Sequence, residues 1–212
     1  MSKINRYPTD EEAKQLIIEV GRRMYIKNFV AANDGNISCK VDDKTLWTTP
    51  TGVSKGFMSE NELVKMNLDG KIISQGELKP SSEVKMHLKI YAAREDVAAV
   101  CHAHPPACTS FAIAGMSLDR PIYPEAMVNL GAVPCVPYEL PGSQKLADSL
   151  APYVQGHNAV LLANHGAVTW GASLMEAWYR MESAEHFAKI LLYGKIIGRA
   201  NELSREQIDA LI

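Results

Sequence analysis

A chain of 212 residues with 47% apolar and 22% charged residues can bury a full hydrophobic core and has the make-up of one globular domain, 1–212. Its formal net charge of −2 offers no global attraction to nucleic acid or an anionic membrane, so neither is expected as a partner. No apolar run approaches the roughly 20 residues that span a bilayer, and the polar start, Met1 to Asp10, does not resemble a secretory signal. Cys39, Cys101, Cys108 and Cys135 lack CxxC spacing and read as reduced, mostly buried thiols of a cytoplasmic protein.

In chain order, Thr9 and Glu12 form a capping-box pattern. Ala13, Leu16, Ile17, Val20 and Met24 follow at helical spacing, predicting a first helix to about Lys27. Two strands are expected over 36–41 and 45–49, parted by the Asp42-Asp43 turn. Ser59 and Glu62 repeat the capping pattern for a short helix, and Leu68 to Ile73 reads as a tight turn entering a strand. Ser81 or Ser82 is expected to cap a helix over 83–94.

A short strand over 97–101 precedes a helix opened by Pro105, and the prolines in 133–138 place that strand at an edge or an end. A helix is predicted over 143–150 and a buried strand over 159–163. The longest helix is expected over 173–193, burying Leu174, Ala177, Trp178, Met181, Ala184, Ala188 and Leu191, with a last short one over 204–211. The early strands adjoin through short turns, which disfavours strict doubly wound order. The expectation is a single α/β domain: a central mixed, mostly antiparallel sheet with helices on both faces.

His102-Ala103-His104 falls at a strand end, where residues i and i+2 point the same way, so both imidazoles can meet one ion. His165, in Asn164-His165-Gly166 just past another strand, can add a third ligand and leave zinc one open position. Gly166 removes a side chain where the backbone turns close to these histidines. An HxH pair alone is more often incidental, because hydrogen bonds readily satisfy histidine at strand ends. His87, His157 and His186 carry no such company and read as surface or core residues, although His87 shares a helix face with Glu83.

Three stretches offer donors to an anion: Gly35-Asn36-Ile37-Ser38, Thr51-Gly52, and Ser81-Ser82 ahead of a helix whose free NH groups and dipole favour negative charge. Each alone is an ordinary turn or cap. Glu83, at the start of that helix, reads by itself as a carboxylate stabilising the helix dipole.

Taken together, Gly35-Asn36-Ile37-Ser38, Thr49-Pro50-Thr51-Gly52, Pro80-Ser81-Ser82-Glu83, His102-x-His104 and Asn164-His165-Gly166 resemble, in order and spacing, the class II aldolase/adducin-like family over nearly the whole chain. The resemblance implies an α/β fold in a homotetramer with active sites between subunits, and one zinc ion per subunit on His102, His104 and His165. It further implies Glu83 as acid–base residue, a phosphate held by Asn36, Thr51, Gly52, Ser81 and Ser82, and Tyr123 reaching the site from a neighbouring subunit. The implied reaction is cleavage of a ketose 1-phosphate to dihydroxyacetone phosphate and an aldehyde.

Glutamate at position 83 favours the aldolase branch over the epimerase branch, which carries aspartate there. Glu125, two residues after Tyr123, keeps a phosphosugar dehydratase open as a second acid–base arrangement, and a decarboxylase of a phosphorylated keto acid is a further family activity. A non-catalytic interaction module resembling the adducin head lacks the zinc histidines that this chain has.

Overall fold

A computed structural model describes residues 7–211. Its eight-stranded sheet is made of β1 (Asn36–Lys40), β2 (Thr45–Thr48), β3 (Val64–Asn67), β4 (Ile72–Ser74), β5 (Ala99–Ala103), β6 (Cys135–Val136), β7 (Ala159–Leu162) and β8 (Gly166–Gly171). The order is β4-β3-β2-β1-β5-β8-β7-β6, with only the β6–β7 pairing parallel. The mixed, mostly antiparallel α/β architecture expected from the sequence is what the chain adopts.

Helices cover both faces, and side-chain alternation decides which strand residues meet which layer. On one side α1 (Asp10–Ile26), α3 (Pro106–Ile113) and α7 (Leu174–Ile197) pack Ile17, Phe111, Trp178 and Phe187 over Ile37, Cys39, Cys101 and Ala103. On the other, α2 (Val84–Ala93), α5 (Gln144–Ser149) and α6 (Ala151–Val154) pack Ile90, Leu146 and Val154 over Val100, Val160 and Trp170. Each fully buried isoleucine, leucine, valine or phenylalanine among them contributes about 1.5–3 kcal/mol. Asn36, Ser38 and His102 occupy the alternate positions of β1 and β5, so they face the α2 layer. That alternation brings polar residues of the sheet under the first turns of α2.

α1 starts on the predicted capping box, Glu12 N donating to Thr9 Oγ1 at 3.2 Å and Thr9 N to Glu12 Oε2 at 2.8 Å. The Ser59 pattern yields only a 3₁₀ turn, Glu60–Glu62. Neither Ser81 nor Ser82 is the cap of α2; Glu83 takes that position without a side-chain cap bond, while Ser81 Oγ accepts from Glu83 N at 3.3 Å. The strand expected over 97–101 instead runs to Ala103, so His102 lies inside β5.

β8 is absent from the sequence expectations because Gly166–Gly171 is buried on both faces, shows no alternation, and begins and ends in glycine. β3 and the short α4 (Pro124–Asn129) were likewise not expected. The 133–138 segment contributes only Cys135–Val136, at the sheet end where its flanking prolines leave no ladder donors. α8 (Arg205–Asp209) closes the described chain, and no described helix is long and apolar enough to cross a membrane. All four cysteines are free and Cys39, Cys101 and Cys108 are buried, which pushes their thiols up, Cys39 to about 12.

Candidate metal centre and its cleft

Antiparallel pairing of β1 with β5 sets Asn36 opposite His102. The β7–β8 turn brings His165 alongside, turning through Asn164 at φ 57°, a left-handed conformation that asparagine tolerates. A Cβ on Gly166 would lie 2.5 Å from Ala103 O and 2.6 Å from His104 Cδ2, so only glycine lets this turn approach the two histidines. Gly35, at φ 74°, is held equally tightly: a Cβ there would meet Val30 Cγ1 at 2.7 Å and His102 O at 2.9 Å.

One ligand atom from each of His102, His104 and His165 lies within 4.8 Å of the others. His102 Nε2 and His104 Nε2 are 3.2 Å apart. Tetrahedral zinc with bonds of about 2.0–2.1 Å places its ligand atoms about 3.3–3.4 Å apart, so this edge fits the ion. His102 Nδ1 donates to Ala167 O at 3.0 Å and His104 Nδ1 lies 3.3 Å from Asp34 Oδ2. Those bonds turn both Nε2 lone pairs toward the same point, as partners of metal-ligating histidines do.

Glu83 enters from the start of α2. Its Oε2 lies 3.3 Å from His102 Nε2 and accepts from Asn36 Nδ2 at 2.8 Å, while Oε1 lies 3.3 Å from His165 Nε2. Asn36 Oδ1, Glu83 Oε1 and His165 Nδ1 are buried without hydrogen-bond partners. Burial pushes the Glu83 carboxyl up, but His102, His165 and the Asn36 amide outweigh it and hold it well below the usual carboxylate range. Burial lowers His102 too, yet Glu83 reverses the balance and raises it; His104 and His165 are lowered by burial and by His102, His165 to about 4. Glu83 thus favours its ionised form beside three imidazoles, of which His104 and His165 are pushed toward the neutral, ligating form.

Beside it opens a cavity of ≈ 230 Å³ lined by Asp34, Gly35, Asn36, Thr51, Ser81, Ser82, Glu83, His104 and His165, among others. Four of the five expected phosphate residues therefore share one cleft with the histidines and Glu83. Gly52 is exposed next to Thr51 and does not line it. Tyr123 and Glu125 do not line it either: Tyr123 precedes α4 with its ring 5.8 Å from that of His186, and Glu125 is exposed in the first turn. Asp34 was missed by sequence reasoning, since an aspartate before glycine reads as an ordinary turn residue.

The chain matches the model of the class II aldolase and adducin N-terminal domain over residues 15–192, and it belongs to that family. A 3-oxo-tetronate 4-phosphate decarboxylase of Pectobacterium atrosepticum is 34% identical, over 86% of this chain and 85% of its own. An L-fuculose phosphate aldolase of Methanocaldococcus jannaschii is 33% identical, over 87% of this chain and 98% of its own. Among solved structures, YgbL of Klebsiella pneumoniae, described by the alternatives aldolase, epimerase or decarboxylase, superposes with a TM-score of 0.90 at 30% identity, covering 97% of this chain and 100% of its own. An L-fuculose 1-phosphate aldolase gives 0.88 at 29% identity, covering 97% and 96%.

Proposed function

We propose that the protein is a zinc-dependent lyase that breaks the bond between the carbon next to the ketone and the carbon beyond it in a small phosphorylated substrate, leaving dihydroxyacetone phosphate. The favoured reaction is retro-aldol cleavage of a ketose 1-phosphate of the L-fuculose 1-phosphate kind, with an aldehyde as second product. The observation that carries this is the convergence of three imidazoles and an ionised glutamate at one end of a donor-lined cleft.

Bound by His102, His104 and His165, one zinc ion per subunit would supply Lewis acidity toward the ketone and neighbouring hydroxyl oxygens. Every other step falls to the chain's own groups. Asn36, Thr51, Ser81 and Ser82 receive the phosphate beside the start of α2, where free NH groups and the helix dipole favour an anion. That placement fixes the ketone against Glu83. As the bond breaks, the hydroxyl on the departing carbon loses its proton and becomes the aldehyde, while the electron pair stays on the ketone fragment as an enediolate. Glu83, oriented by Asn36, handles the proton that closes this fragment to dihydroxyacetone phosphate.

Tyr123 lies outside the cleft of its own chain, so its proposed part, protonating the aldehyde oxygen in the synthetic direction, requires a neighbouring subunit of a homotetramer. Glu125 has the same requirement in a dehydratase. The buried thiols suit a cytoplasmic setting.

A second reading is favoured by the 34% identity to the decarboxylase. Losing carbon dioxide from a 3-oxo-tetronate 4-phosphate leaves the same three-carbon ketone phosphate and the same negative charge on the carbon beside the ketone. The two readings differ only in the fragment that departs. A panel of ketose 1-phosphates and 3-oxo-tetronate 4-phosphates, assayed in zinc-loaded and chelator-treated protein, separates them. Chelator-sensitive dihydroxyacetone phosphate accompanied by an aldehyde supports the aldolase, and the same product accompanied by carbon dioxide supports the decarboxylase. No dihydroxyacetone phosphate from any zinc-loaded sample sinks both.

A further inference from the structure

Lys55 is only 1% exposed and is among the largest fully buried side chains of the protein. Its Nζ donates to Asn33 O at 3.0 Å and to Val53 O at 2.6 Å. Asn33 begins the 33–36 stretch that forms one wall of the cleft, and Val53 closely follows Pro50 and Thr51 on another wall. One ammonium group therefore joins the two loops between which the proposed phosphate must sit. The backbone carrying it has no slack: a Cβ on Gly21 of α1 would fall 2.5 Å from Lys55 O.

Removing an ammonium from water is costly, and a methionine would fill much the same volume without that penalty. The charge has a use at this place. Among the described residues no lysine or arginine lines the cleft, so a dianion bound there meets hydroxyl, amide and imidazole donors from that lining. Burial pushes Lys55 down to about 8, while Asp34 and Glu83, the charged groups it faces, pull it back up. It stays mostly protonated at pH 7, close enough to the cleft to be felt by two carboxylates that line it.

We propose that Lys55 is a positioning residue that clamps the 33–36 and 50–53 loops together and sets a buried positive charge behind them for the substrate phosphate. This rests on the phosphate-binding role proposed above for the cleft. A lysine in this role differs from one that contacts the phosphate directly: it acts through the two backbone segments and through space.

Inorganic sulfate, a dianion that does not titrate near neutrality, serves as the probe. Its affinity is measured by calorimetry on zinc-loaded full-length protein, on Lys55→Met, which lacks both charge and donors, and on Lys55→Gln, which keeps an amide donor. Both variants should bind sulfate about tenfold more weakly or worse at pH 7, with zinc stoichiometry unchanged. In the native protein, affinity should fall as pH rises through about 8, because the ammonium is charged below that value and neutral above it; the variants should not show this step. Wild-type affinity in Lys55→Gln, with the pH step retained, would overturn the charge role while leaving the phosphate cleft standing. Absence of sulfate binding to the native protein would overturn the phosphate reading itself, and Lys55 with it. If Lys55→Met does not fold, Lys55→Gln and the native pH series decide the matter.

Discussion

Glu83 and His87 lie one helical turn apart on α2, and each meets buried polar groups of the same sheet face, yet the two neighbourhoods are built differently. Around Glu83, three imidazole rings stand with centroids 4.7–5.0 Å apart, and several buried polar atoms have no hydrogen-bond partner. Around His87, Nδ1 is 2.7 Å from Ser38 Oγ, which is itself 2.7 Å from Tyr91 OH, and Tyr91 OH donates to Ser38 O at 3.2 Å. This second group is a nearly closed neutral network, with Nε2 of His87 its one unpartnered atom. Burial lowers His87 to about 3, whereas His102, equally buried, is raised because it faces Glu83. Burial alone therefore does not mark a functional histidine. Convergence of three ring nitrogens on one point, with a carboxylate beside it, is what separates the proposed site from the His87 network.

The sharpest way to break this contrast is His104→Ala, which removes one converging atom. Zinc content should fall from one per subunit to near zero and lyase activity with it, while circular dichroism still reports a folded chain; a full zinc complement would refute the ligand assignment. Glu83→Gln should retain zinc but slow proton transfer to the ketone fragment by about 10²–10⁴-fold, read by the rate of solvent exchange into dihydroxyacetone phosphate. Unchanged exchange would move the acid–base role elsewhere, with Glu125 the first suspect.

Asp34→Ala leaves the three ligands in place and removes only the carboxylate beside His104 Nδ1. Zinc affinity should drop about 10–100-fold in a competition with a chromogenic chelator. The smallest effect is expected at His87. Its folded value lies below the ordinary 6.5, so its contribution to stability is complete above pH 6.5 and is lost as pH falls toward about 3. In zinc-free protein, denaturant titrations of His87→Gln should show a shallower loss of stability on acidification, a difference of about 2 kcal/mol at most at pH 5. Identical slopes for the two proteins would contradict the neutral buried state assigned to His87.

What could be read from the sequence follows the range of the physics involved. The Thr9 capping box and the long buried stripe of α7 are local patterns, and both appear where spacing puts them. β8 carries no local signature, since a strand covered on both faces has no alternation to detect and this one begins and ends in glycine. At the site, His102 with His104 is a local pair that His165 can complete, whereas Glu83 reads locally as a helix-dipole carboxylate and is named only through the family resemblance of the ordered motifs. Asp34 could not be named, because its meeting with His104 spans 70 residues and depends on the β1–β5 pairing. Lys55 was passed over for a related reason: a lysine in a loop reads as solvated until packing shows it buried. Tyr123 and Glu125, implied by family resemblance, lie away from the cleft within their own chain.

The central claim is that the histidine centre and Glu83 together form and protonate an enediolate of dihydroxyacetone phosphate, whichever fragment departs from the full substrate. Its most direct test is incubation of the zinc-loaded protein with dihydroxyacetone phosphate in deuterium oxide, followed by NMR of the hydroxymethyl carbon. Incorporation of one deuterium, abolished by a chelator and restored by added zinc, is the expected result. No incorporation by zinc-loaded protein, or incorporation that survives complete metal removal, would contradict the claim.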